Sequence, residues 1–198
     1  DLVRAPIKDF LNEGGLVFTA PHHKFMAHVK VSVIAGIIMA CPVWIYQIWG
    51  FVEPGLYKKE KKYGYYFMFV GSLLFLTGVC FCYFLVMPTA YQVMMYFGGD
   101  IDKPMITIQE HLSLFTTFIL LFGLAFEMPL FLALLGIVGV VNSGFLCRFR
   151  RYAIVLISII AALFTPPDPM SMVLLMGPLL VLYEISILIV AFIEPKEQ

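Results

Sequence analysis

Long apolar runs separated by short charged clusters organise this chain. Val31–Val52 holds no charged residue, and neither does Tyr63–Gly99. Leu112–Val141 holds only Glu127, and Pro169–Ile193 holds only Glu184. Tyr152–Pro167 is a shorter uncharged run. The longer runs reach the roughly 20 residues that a helix needs to cross a bilayer. No run alternates apolar and polar residues, and backbone groups in lipid must be satisfied within their own segment, so the pattern predicts helices. The expected membrane helices are 31–52, 63–97, 110–141, 152–167 and 169–193, in one domain that begins with an outer segment, 1–30. The fold class is all-α, a polytopic membrane protein with five membrane helices.

Breaks inside the runs refine this picture. Pro42, Pro88, Pro129 and Pro178 each remove a backbone donor from an expected helix. The carbonyls so freed belong to Ile38, Phe84, Ala125 and Leu174, and four such sites argue for curved helices around a concavity. Gly98-Gly99 ends the second run, and Thr107-x-x-Glu110 reads as a capping box opening the third. The fourth run, between Arg151 and Pro166, spans only about 21 Å at ~1.5 Å per residue. That is less than the roughly 30 Å hydrocarbon core, so it should thin the bilayer or sit beside other protein.

Composition agrees with the pattern. The chain is 61% hydrophobic and 13% charged, against about half and a quarter in soluble domains. Net charge is zero, and no basic stripe suggests nucleic acid. Basic residues cluster after the first run (Lys58, Lys59, Lys61, Lys62), after the third (Arg148, Arg150, Arg151) and in the tail (Lys196). They outnumber Arg4, Lys8, Lys24, Lys30 and Lys103 on the other side. The positive-inside rule then places the amino terminus outside and the carboxyl terminus in the cytoplasm. Five spans with an outside start are expected of a six-span protein that lacks its first helix.

Candidate chemistry is sparse. An ionised carboxylate in hydrocarbon costs at least ~2.5–3.5 kcal/mol on insertion scales, so Glu127 needs a partner or a task. Glu184 could lie at a similar depth, as a second intramembrane carboxylate. Neither belongs to a recognised protease motif, and a paired or hydrated structural role suits both better than catalysis. There is no nucleotide-binding GxxxxGK[ST] or GxGxxG loop and no HExxH. His22-His23 reads as an exposed interfacial pair rather than a metal site, and Cys41, Cys80, Cys82 and Cys147 as small buried hydrophobes. No cofactor and no enzymatic activity are expected. The segment Phe51-Val-Glu-Pro-Gly-Leu-Tyr-Lys-Lys-Glu-Lys-Lys62 admits two readings: a solvated loop that sets topology, or a docking surface. In the second, Glu60 would accept a guanidinium through two hydrogen bonds.

That segment, FVEPGLYKKEKK, resembles the first cytoplasmic-loop motif of the TatC family, the core of the twin-arginine translocase. FGLAFEMPLFL is similar to the family's fourth-helix glutamate motif, LFTPPDPMSM to its last periplasmic turn, and GPLLVLYEISI to its sixth helix. CPVWIYQIWGF resembles the end of its second helix. The resemblance implies a six-helix, glove-shaped protein of the bacterial cytoplasmic (inner) membrane, of which this sequence carries helices two to six. It implies recognition of twin-arginine signal peptides on folded cargo, recruitment of TatA- and TatB-type single-span partners, assembly as a homo-oligomer, and transport driven by the proton gradient. Carried onto this chain, Glu60 pairs with the signal-peptide arginines, and Phe51 and Tyr57 belong to the same docking loop. Glu127 matches the membrane-buried glutamate of the concave face; Glu184, read from its own span, is a second intramembrane polar residue placed with it on that face. Tyr83 and Thr165 match polar positions near the partner-helix groove, and Asp168 the acid of the outer turn. Met172 stands where the family often has Gln, Pro169 is unusual, and Glu53 replaces a commonly small residue.

A secondary transporter for a small solute is the alternative suggested by Glu127, Glu184 and the proline breaks. Two transporter halves should show internal symmetry, and the sequence shows none.

Overall fold

A computed structural model describes residues 21–53, 64–96, 107–165 and 169–193. Its helices, in order, are α1 (Pro21–Met39), α2 (Cys41–Val52), α3 (Gly64–Phe81), α4 (Met87–Tyr96), α5 (Ile108–Ala125), α6 (Met128–Ile137), α7 (Ser143–Phe164) and α8 (Pro169–Ile193). One π-helical turn, Cys82–Val86, joins α3 to α4. Three helical stretches are long and apolar enough to cross a membrane: Tyr66–Met94, Ile108–Ile137 and Pro169–Ile193. A fourth forms if Phe25–Met39 and Cys41–Gly50, bent by 53°, count as one broken span.

Two of the four prolines sit where helices break. Pro42 occupies the first turn of α2 and Pro129 the first turn of α6, positions whose N–H would have no intrahelical acceptor anyway. The chain turns at Ala40 before Pro42, and at Phe126–Glu127 before Pro129. Pro88 is accommodated differently. The π-helical turn before it lets Met87 N–H reach back to the Cys82 carbonyl, an i→i−5 bond that widens the helix locally. Pro178 alone lies inside a continuous helix, α8.

Helix bounds depart from expectation in three places. α1 starts at Pro21 rather than near residue 31, because Ala27 and Val31 pack on Ile108 and Leu112 of α5. The third span ends at Ile137 rather than 141. There, Val140 N–H bonds the Leu135 carbonyl and Gly139 N–H the Gly136 carbonyl, both at 3.0 Å. This is a Schellman stop, and it requires the positive φ of 77° that Gly139 supplies. α7 starts at Ser143, not at 152, because Asn142 caps it by accepting from Phe145 N–H at 2.7 Å. Arg148, Arg150 and Arg151 therefore stand on its first turns instead of in a loop, and only Tyr152–Phe164 is free of charge.

Packing is of the membrane type. α8 lies against α6 and α7, α5 against α1 and α3, and α2 against α3. Phe118, Phe122, Phe75 and Met87 are fully buried. Close approach of α3 and α5 depends on Gly78 and Gly123. A Cβ on Gly78 would meet the Phe122 carbonyl oxygen at 2.7 Å, and one on Gly123 would meet the Phe75 ring at 2.6 Å. Small residues at helix contacts are the usual device where lipid supplies no hydrophobic drive. Outward faces are as apolar as the core: Phe84, Leu163 and Phe192 are exposed, Phe192 by 89%. Ser72, Thr89, Ser158, Thr165 and Ser186 each donate to the carbonyl four residues earlier, which satisfies their hydroxyls within the helix. Cys41 and Cys82 are buried as expected, whereas Cys80 and Cys147 face outward.

Candidate functional site

Glu127 occupies the break between α5 and α6. Its N–H bonds the Leu124 carbonyl at 3.1 Å, and its own carbonyl accepts from Phe131 N–H at 2.9 Å. The side chain projects toward α3, where Gly71 leaves room for it. A Cβ added to Gly71 would lie 3.3 Å from Glu127 Oε2, 3.3 Å from Ile45 and 3.1 Å from Leu130. Oε1 is buried and has no hydrogen-bond partner, and the same is true of Trp44 Nε1. Both side chains line one recess of about 280 Å³, with Ile48, Phe67, Leu124 and Phe131. An indole donor and a carboxylate acceptor thus share an otherwise apolar hollow. Leaving either unpaired costs on the order of 1–3 kcal/mol, which is the usual mark of a functional polar group in a membrane. Trp44 itself is held edge-on to Phe75, with ring centroids 5.3 Å apart.

One helical turn beyond Ile45, Trp49 lies near the end of α2. It is buried, stacks at a tilt on Phe67 with centroids 4.9 Å apart, and packs with Leu134 of α6. Its indole fills the space where a Cβ of Gly64 would stand. The end of α2 and the start of α3 are pinned together at that contact. Glu60 and Tyr57 lie outside the described residues, as does Asp168. Phe51 falls in the last turn of α2, and its side chain lies outside the described set.

The remaining expected residues are dispersed. Glu184, on α8, accepts a hydrogen bond from Arg150 Nη2 at 2.7 Å, and both side chains are about half exposed. It has a cationic partner, and Glu127 has none among the described residues. Tyr83 lies in the π-helical turn, half-buried, edge-on to Phe115 of α5 at 6.4 Å. Thr165 ends α7, buried, with its hydroxyl on the Ala161 carbonyl at 2.8 Å. Met172 packs on the core, so an apolar side chain suits that position. Trp44, Gly71 and Arg150 were not legible as site residues, since each acquires its role from a neighbour on another helix. Among the described residues, no three metal-ligating side chains converge.

The match to known proteins covers nearly all of these features. The family model for Sec-independent protein translocase protein (TatC) matches residues 1–178. The chain belongs to the TatC family. It is 42% identical over 183 residues to the TatC of Carboxydothermus hydrogenoformans, covering 92% of this chain and 75% of that protein. It is 40% identical over 199 residues to the TatC of Campylobacter jejuni, covering 98% and 81%. The crystal structure of a twin-arginine translocase receptor, TatC, superposes with a TM-score of 0.88 at 35% identity, over 97% of this chain and 85% of that one. As a TatC-family protein, the chain is a multi-pass helical membrane protein and a core component of a Sec-independent translocase, and its family places it in a bacterial inner membrane.

Proposed function

We propose that this chain is the signal-receiving core of its translocase. It binds twin-arginine signal peptides at the cytoplasmic segment between α2 and α3, and gathers TatA- and TatB-type single-span partners that move folded cargo at the expense of the proton gradient. The observation that supports this reading is the FVEPGLYKKEKK motif between two helices whose ends are in contact. The motif runs from the last turn of α2 to just before α3, and the end of α2 and the start of α3 are held together by Trp49 against Gly64. Fixing the ends of a segment in this way lowers the ordering cost of binding. Glu60 is the acceptor for the arginine pair, and Phe51 and Tyr57 give the loop its aromatic contacts. The lysines around Glu60 and the arginines at the start of α7 put this face in the cytoplasm. Tyr83 and Thr165 belong to the groove for partner helices, Asp168 to the outer turn, and Glu127 to the concave face as its polar anchor.

The test is crosslinking of a twin-arginine peptide to the full-length protein in membranes. Glu60→Gln should lower the yield about tenfold, the loss expected for one charge-assisted hydrogen bond. It should also erase the preference over a twin-lysine peptide. Equal yields with an equal dependence on the arginine pair would remove Glu60 from the site.

A further inference from the structure

We propose that the cleft between the beginnings of α1 and α5 binds the headgroup of an anionic phospholipid. His22, Met26 and Lys30 recur every four residues and so share one face of α1. With His23, they line a hollow of about 230 Å³, closed on the α5 side by Gln109 and Leu112. Its floor is apolar, where Ala27 packs on Ile108 and Leu112. Its rim carries a lysine, two imidazoles and a side-chain amide. This arrangement suits a phosphate at the rim with an acyl chain along Met26 and Leu112.

Lys30 is the decisive residue. It lies within Phe25–Met39, the apolar first half of the broken span, and it has no ion-pair partner among the described residues. Ammonium groups at such depth are costly and are normally paired. Glu110, the acidic residue among the described residues at the start of α5, is engaged in that helix's cap. Its Oε2 accepts the Thr107 hydroxyl at 2.8 Å, in the cap of α5. A phosphodiester is the counter-ion that the surroundings of a multi-pass protein supply in abundance. A long lysine stem can carry its charge out to headgroup level. The positive-inside rule puts the start of α1 on the outer side, so the lipid would come from the outer leaflet.

Native mass spectrometry of the full-length protein, released from detergent with added lipid, tests this. Phosphatidylglycerol should be retained about fivefold more than phosphatidylcholine of the same chains, an effect of one interfacial lysine. Lys30→Gln should abolish the difference, Lys30→Arg should restore it, and Arg151→Gln, on the other face, should leave it intact. A photoreactive group at position 109 should label phosphatidylglycerol. Equal retention of both lipids, or indifference to Lys30→Gln, would overturn the proposal. So would full displacement by glycerol 3-phosphate, which would point to a free phosphate. Labelling of residues 1–20 in place of lipid would assign the cleft to the chain's own amino-terminal segment, and would overturn it equally.

Discussion

Arg150 on α7 donates to Glu184 on α8 at 2.7 Å, tying the start of one helix to the later turns of the next. Both side chains are about half exposed, at 48% and 51%. Screening then limits the pair to roughly 0–1 kcal/mol. A double-mutant cycle with Arg150→Gln and Glu184→Gln, read by thermal unfolding in detergent, should give a coupling in that range. A coupling above about 2 kcal/mol would mean that the bilayer interface around the pair is far drier than its exposure indicates.

Glu127 and Trp44 should behave unlike that pair. Glu127→Ala should leave the folded protein in the membrane yet impair export of a folded reporter, because the recess loses the one carboxylate among its described lining residues. Trp44→Phe removes a buried indole donor that has no acceptor in the structure, so relief of its ~1–3 kcal/mol desolvation cost should offset the packing lost and leave the variant no less stable than the parent. Export that is unchanged in both variants would make the recess a passive feature of packing.

Gly78→Ala probes the α3–α5 contact. The new methyl would press on the Phe122 carbonyl oxygen and the Phe126 ring, and backbone gives way less readily than a side chain. Overpacking of this kind costs about 1–3 kcal/mol. The variant should melt at a lower temperature, while Gly36→Ala, with open space at that position, should not. Equal melting of the two variants would show that α3 and α5 can part without cost.

Gly64→Ala addresses the loop base. Its methyl would displace the Trp49 indole, so twin-arginine peptide crosslinking should fall even though Glu60 is intact. Adding Trp49→Leu to Gly64→Ala should partly restore crosslinking by making room. If crosslinking survives Gly64→Ala unaltered, the loop does not depend on a fixed base.

Much of the fold was legible because lipid leaves so few choices. Runs with at most one charge had to be helices, and the structure has helices over 64–96, 108–125, 128–137 and 169–193 that cover most of three of them. Thr107 and Glu110 announced the start of α5, and Thr107 does accept from Glu110 N–H, at 3.3 Å. The Glu110 carboxylate, however, takes the threonine hydroxyl rather than a backbone N–H. The early starts of α1 and α7 were hidden, since hydropathy locates lipid contact and both helices extend past it on charged residues. Asn142 was the available signal for α7, an N-cap type standing just before the helix.

Hydropathy, proline spacing and motif order by themselves determined that this chain is a helical membrane protein, marked the breaks before Pro42 and Pro129, and showed which family it resembles. Those properties follow from each segment's own transfer energy and backbone hydrogen bonding. The tertiary structure alone decided that Glu184 has a cationic partner whereas Glu127 shares a recess with Trp44, and that Gly71 and Gly64 make the room these groupings need. The two glutamates look alike in sequence. They differ because a carboxylate's neighbours come from other helices, and helix packing depends on side-chain shape at contacts distant along the chain.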